Sequence, residues 1–267
     1  VQNNAGAWQK VTTAGGIVPD VCLTMQTGYV DFSLPGGAIY KLTIPMEPFV
    51  IATETSYYAQ NTFIRIHTDI GLTGVGECSA FPMLVGETQQ TCYEVAKDFA
   101  RILRDKDPLE IEERMKELHD YIAFNTTIKS AFDMALHDIA AKHHRQPLYA
   151  FLGGKRKTIL SDLTIGIAPP KEMAATAIKF IEDGVQIIKI KLGKNAKEDV
   201  ERVRLIREAV GPSIQLRIDA NQGWTKEGAI AALHGMTDFK IQHCEEPLPR
   251  WQYRELPEIR RQCTIPI

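Results

Sequence analysis

Two lysines in the stretch "KIKL", Lys189 and Lys191, are followed by two acids, Asp219 in "RIDA" and Glu245 in "HCEEP". Side chains two apart on a strand point the same way, which puts Lys189 and Lys191 on one face with Cα atoms roughly 6–7 Å apart. On a surface strand such a pair is ordinary solvated charge. Here Ile187, Ile188, Ile190 and Leu192 surround it, and a strand that apolar is expected to be buried on both faces. A lysine that acts as a general base must fall from a reference pKa of ~10.4 towards ~7–8, a differential cost of about 3–5 kcal/mol. Desolvation, a neighbouring lysine and a nearby divalent cation all push that way, so the pair reads as built for proton abstraction. Asp219 and Glu245 end the next two strands, and neighbouring strands lie ~4.8 Å apart, so both carboxylates can converge on one ion. Either acid alone reads as a helix cap or a loop salt bridge. Both in register with Lys191 read as metal ligands, and hard oxygens without a His or Cys ligand pattern favour Mg2+ over zinc.

Groups spaced like these need a repeating scaffold. Thr164 to Lys189 is 25 residues, Lys191 to Asp219 is 28 and Asp219 to Glu245 is 26. Each step has the length of one βα unit, and βα barrels carry their catalytic groups at the C-terminal ends of the strands. After Gly153 and Gly154 the pattern indeed alternates: "DLTIGI", a helix over 171–183, "QIIKIKLG", a helix over 199–210, "IQLRIDA", a helix over 225–236, then "KIQHCEEP". That is a parallel βα series. A fifth strand is expected to begin at Thr264 to Ile267. An open doubly wound sheet would show a Gly-rich phosphate loop after its first strand, and none is present.

Upstream, "AIYKLTIP", "NTFIRIHT" and "LTGVGECS" alternate as strands, with a turn at Asp69, Ile70 and Gly71. Helices are expected over 87–104, 108–123 and 127–143, the last with Phe132, Leu136 and Ile139 at helical spacing. Residues 1–37 show no sustained period and read as an extension, poorly ordered or of unknown role. The expected fold class is therefore α/β: an α+β domain over 38–152, then a (β/α) TIM-type barrel over 153–267 that is incomplete in this chain.

The 267 residues are 44% hydrophobic and 24% charged, enough to bury a sizeable core in one large or two ordinary domains. With 31 basic against 33 acidic residues and a net charge of -2, no basic field draws the chain to nucleic acid or anionic membrane. A small molecule is the expected partner. Cys22, Cys78, Cys92, Cys244 and Cys263 form no CxxC pair, which fits a reduced, cytoplasmic setting better than a disulfide or zinc framework. Cys244, beside Glu245, reads as a small buried strand-end residue rather than a nucleophile. His243, His143 and His144 find no partners in the pattern and read as structural.

The stretches "KIKLG", "RIDANQGW" and "CEEPLP" resemble the KxK, DxNQ and ExP motifs of the muconate-lactonizing subgroup of the enolase superfamily. The segment "IKSAFDMALHDIAAKHHRQPLYAFLGG" is similar to its signature helix and linker, and the resemblance covers residues 38–267. It implies a capping domain over a modified barrel, with Mg2+ chelating a substrate carboxylate while the adjacent carbon is deprotonated to an enolate. On matching motifs, Lys191 would be an acid/base on one face of the substrate, and Lys189 would tune it and support the enolate oxygen. Asp219 and Glu245 would be two of three metal ligands, Glu245 rather than Glu246 because the family ligand stands two residues before the proline, here Pro247. Asn221 would support the metal site. The third carboxylate ligand and an opposing lysine would lie beyond Ile267, so the chain as written is expected to be truncated and inactive by itself.

The wording of "RIHTDIGLTGVGECSAF", "LTIGI" and "IQHCEEP" resembles dipeptide epimerases most, which invert the α-carbon of the C-terminal residue of a dipeptide. Muconate cycloisomerases and o-succinylbenzoate synthases share the same lysines and acids, and a non-catalytic homologue is a further alternative. In the family, specificity comes from two capping-domain loops, matched here by residues 49–58 and 81–87. Members similar to Ala-Glu epimerases carry an Arg in the first loop where this sequence has Glu54, which implies a neutral or cationic dipeptide. Candidate substrate-binding residues are thus Thr164, Phe49, Glu54 and Asn221. A homo-oligomer is compatible with the sequence, which sets no oligomeric state.

Overall fold

A computed structural model describes residues 29–34 and 37–267, and the side chains from Ile39 onward. The chain divides into two compact units. One contains the described residues through Met46 together with Tyr58–Lys157, and the other contains Glu47–Tyr57 and Thr158–Ile267.

The first unit is built on an antiparallel sheet of β1 (Tyr29–Leu34), β2 (Gly37–Val50), β3 (Thr55–His67) and β4 (Thr73–Ser79), hydrogen-bonded in that order. β1 falls inside the stretch expected to be an extension. Its alternation of Val30, Phe32 and Leu34 is too short to stand out beside a Gly-rich lead-in, and pairing with β2 at Val30 and Ile39 makes it a strand. Gly37 opens β2, and the rest of the expected extension, 1–28 and 35–36, lies outside the described residues. Helices α1 (Pro82–Val85), α2 (Gln89–Ile102), α3 (Ile111–Tyr121), α4 (Thr126–His143) and α5 (Leu148–Phe151) follow. Phe99 and Phe132 meet edge-to-face at 5.4 Å in a core that also buries Ile64, Leu118 and Ile128. β4 approaches α4 so closely that a Cβ on Gly74 or Gly76 would lie 2.0 Å from the Ala135 carbonyl oxygen or 1.7 Å from that of Ala131.

The second unit repeats strand and helix: β5 (Leu163–Ile165), α6 (Pro170–Glu182), β6 (Ile187–Lys191), α7 (Ala196–Val210), β7 (Gln215–Asp219), α8 (Lys226–Gly235), β8 (Ile241–Glu245) and α9 (Leu256–Gln262). The four strands are parallel and adjacent in chain order. One face of the sheet buries Ile188, Ile190, Leu216 and Ile218 against Met173, Val203, Ile206 and Leu233 from the helices. After α9 the chain returns beside β8, where the Cys244 N–H donates to the Pro266 carbonyl at 2.8 Å. The expected fifth strand is thus present as a neighbour of β8, though not as a regular strand. Among the described residues no helix is long and apolar enough to cross a membrane.

Candidate active site

Register decides which side chains meet. Lys189 and Lys191 occupy the β6 face opposite fully buried Ile188 and Ile190. Lys191 stands level with Asp219, and Asp219 with Glu245. That last alignment depends on an irregularity in β8: Leu216 pairs with Ile241 but Ile218 pairs with Cys244. An uninterrupted strand would bring Cys244 beside Asp219. The extra residue re-aims the strand so that Glu245 faces the lysines and Cys244 turns into the core. Glu246, with φ of 37°, turns away and accepts from Arg250 Nε at 2.8 Å.

The four charged groups form one connected cluster. Lys191 Nζ donates to Asp219 Oδ2 at 2.6 Å, and Lys189 Nζ lies 3.1 Å from the same oxygen while donating to Glu245 Oε2. Burial would raise the Asp219 carboxyl, which is only 1% exposed. Its hydrogen bond and charge interaction with Lys191, the Asn221 N–H and Lys189 more than offset this and hold it below the usual carboxylate range. For Lys189, burial works to lower the ammonium, yet Glu245 and Asp219 outweigh it and the group sits above the ordinary lysine value. This is opposite to the fall expected of a base. The carboxylates that a divalent cation would neutralise are here neutralised by lysine, and this charge holds the proton on Lys189.

The residues fit a hard cation on three counts. A single positive charge, the Lys189 ammonium, already touches both carboxylates. The donors are all oxygen, and a third acceptor, the buried Asn221 Oδ1, has no hydrogen-bond partner in the structure. Asn221 owes its orientation to a left-handed backbone (φ 45°) that lets its N–H donate to Asp219 Oδ1 at 2.9 Å. Among the described residues no cage of three or more His, Cys, Asp or Glu side chains forms. Two carboxylates plus an amide leave positions for water and substrate oxygen, as magnesium sites commonly do.

Thr164 stands level with Lys189 on β5. The segment with Phe49 and Glu54 belongs to the barrel-like unit: the Ile167 N–H donates to the Val50 carbonyl at 2.8 Å, and Phe49 and Val50 lie against Gly166. A turn closed by Ile51 N–H and the Glu54 carbonyl (3.0 Å) follows, with Glu54 Oε1 accepting from Ser56 Oγ at 2.9 Å. In the first unit, the segment 81–87 ends on Glu87, whose buried Oε1 accepts from the Thr127 N–H and hydroxyl at 3.1 and 3.0 Å. A layer missing from the sequence reading lies level with Lys189: Arg217 pairs with Asp162 and Gln242, each at 2.7 Å. Its signal was the period of two, since Arg217 precedes Asp219 by two on one strand face.

Comparison with known proteins matches the chain to a family. Residues 38–153 match "Mandelate racemase / muconate lactonizing enzyme, N-terminal domain" and residues 172–267 match "Enolase C-terminal domain-like". The chain belongs to the enolase superfamily, in its mandelate racemase and muconate lactonizing branch. Its architecture is accordingly the superfamily's capping domain followed by part of a TIM-type barrel. The D-Ala-D/L-Ala epimerase of Cytophaga hutchinsonii is 46% identical over 231 residues, 86% of this chain and 63% of that protein. The hydrophobic dipeptide epimerase of Enterococcus faecalis is 34% identical over 221 residues, 83% of this chain and 62% of that protein. A crystal structure of the Cytophaga dipeptide epimerase complexed with Mg and D-Ala-L-Val has a TM-score of 0.82 at 45% identity, covering 85% of this chain and 62% of that one. This enolase-superfamily chain thus spans a little over three-fifths of the length of these relatives.

Proposed function

We propose that this chain supplies the lysine pair and two metal ligands of a magnesium-dependent epimerase that inverts the α-carbon of the C-terminal residue of a dipeptide. The carrying observation is the Lys189, Lys191, Asp219 and Glu245 cluster, in which one ammonium bridges both carboxylates, in a chain 46% identical to a D-Ala-D/L-Ala epimerase. Asp219 and Glu245, with Asn221 beside them, would hold Mg2+, which when bound would draw in the substrate carboxylate and stabilise the negative charge formed as the α-proton leaves. Mg2+ held there would take the place of the lysines on those oxygens, leaving Lys191 Nζ free for the substrate α-proton and the Lys189 ammonium free for the substrate oxygen. Lys191 then takes or returns the α-proton on one face, and Lys189 supports the developing enolate oxygen. Thr164 and the segment from Phe49 to Glu54 would border the substrate. Among the described residues Glu54 has no cationic partner, which favours a neutral or cationic dipeptide over an acidic one.

The test is a dipeptide library incubated with Mg2+ and this chain extended at its C-terminus to the length of its relatives, read by chiral chromatography. Turnover of neutral or cationic dipeptides, abolished by EDTA, is expected. Preference for Ala-Glu would sink the Glu54 reading alone. Turnover of muconate or an o-succinylbenzoate precursor, with no dipeptide turned over, would replace the epimerase by a cycloisomerase or synthase using the same four residues.

A further inference from the structure

Asp199 is fully buried on α7, yet it does not cap its own helix. Asn195 does that, accepting from the Glu198 N–H at 3.0 Å. The Asp199 carboxylate is spent elsewhere. Its Oδ2 accepts from the Gly193 N–H at 2.9 Å and from Trp224 Nε1 at 2.8 Å, and its Oδ1 accepts from Arg202 Nη1 at 2.7 Å. Arg202, also buried, donates through Nε to the Ala168 carbonyl at 3.0 Å. Gly193 lies just past Lys191, Trp224 lies just past Asp219 and Asn221, and Ala168 lies just past β5. One carboxylate and its arginine therefore tie together the loops leaving three successive strands.

Two of those loops are also a seat. A Cβ on Gly193 (φ +110°) would lie 2.1 Å from the Ala220 carbonyl oxygen and 2.8 Å from the Ala52 Cβ. One on Gly223 would lie 2.3 Å from the Gly193 carbonyl oxygen and 2.5 Å from the same Ala52 Cβ. The turn that carries Glu54 thus rests, through Ala52, on two glycines whose loops converge on Asp199.

We propose that Asp199 is a positioning residue: it fixes the loops after Lys191 and Asp219 relative to each other, and with them the placement of Asn221 and of the segment 51–54. It touches no reacting atom. Its link to substrate rests on the dipeptide reading above; its link to the loops does not.

Hydrogen–deuterium exchange of Asp199→Asn and Trp224→Phe, each in the full chain without substrate, tests the proposal. Trp224→Phe removes one donor, keeps an aromatic ring, and decides the matter if Asp199→Asn does not fold. Loss of a hydrogen bond to a buried charge predicts about tenfold faster exchange over 51–54, 192–195 and 220–224. Exchange in α2 to α4 should stay unchanged. Ile206→Val, a mild destabiliser of the same core, serves as control and should leave the three segments no faster than the rest of the unit. In the extended enzyme the same variants should raise KM by about tenfold while moving kcat far less. Unchanged exchange in the three segments, or a uniform rise matched by Ile206→Val, would overturn the proposal. The exchange result holds whether or not dipeptides prove to be the substrate.

Discussion

Lys189 and Lys191 share a strand face but divide their contacts, Lys189 between two carboxylates and Lys191 on Asp219 alone. Under the proposed chemistry, removing Asp219 takes away the carboxylate shared by both ammoniums. Asp219→Asn should weaken Mg2+ binding by more than about 100-fold, since even outer partners of metal ligands are worth about 10–100-fold, as read by calorimetric titration. Lys191→Met should bind Mg2+ nearly as well as the parent while losing about 10²–10⁴-fold in turnover, the range of a general base. Equal loss of metal affinity would mean that Lys191 serves the fold of the site rather than the proton. The thiols offer a contrast. Burial pushes Cys244 far above the usual thiol range, with Asp219 adding to it, and the neighbouring Cys78 thiol and burial do the same to Cys92. Iodoacetamide at pH 8 should therefore leave Cys78, Cys92 and Cys244 unmodified in the folded chain, as peptide mass mapping would show.

At the level of elements, β4 and α4 pack through Gly74, Gly76, Ala131 and Ala135 with no room for another carbon. Gly76→Ala places its Cβ against a backbone carbonyl, which cannot swing aside as a side-chain tip would. A loss at or above the upper end of about 1–3 kcal/mol is expected, measurable by urea unfolding. Elements with a strong period were legible in the sequence: the β6 run of isoleucines, and Phe132, Leu136 and Ile139 on α4. β1 was not, because six residues beside Gly-rich sequence gain strand character only by pairing. Nor was α9, where Pro257 stands in the first turn and only Ile259 is buried. Of the site, Lys189, Lys191 and Asp219 follow from strand period and βα spacing, whereas the choice of Glu245 over Glu246 comes from the motif resemblance. The β8 irregularity that selects Glu245 and the descent of Ala52 onto Gly193 and Gly223 were not legible, since both are properties of backbone approach rather than residue type.

Among the described residues, two hydrophobic cores form, one between the antiparallel sheet and α2 to α4, the other beneath the parallel strands. Near-neutral charge leaves the clustered lysines and acids as a local feature, not part of a global field. The segment 47–57 belongs to the second unit, so the Glu54 turn shares a compact unit with the strands that carry Lys191 and Asp219. The central claim is that this cluster deprotonates a carbon acid. The most direct measurement is α-proton exchange in deuterated water, by NMR, with Mg2+ and a dipeptide mixture. It compares this chain, a form extended to the length of its relatives, and the extended form carrying Lys191→Met. Magnesium-dependent deuterium uptake at the α-carbon of the C-terminal residue by the extended form, strongly reduced by Lys191→Met, is predicted. Uptake that survives Lys191→Met unchanged, or no uptake by the extended form in a mixture spanning neutral and cationic dipeptides, would contradict it.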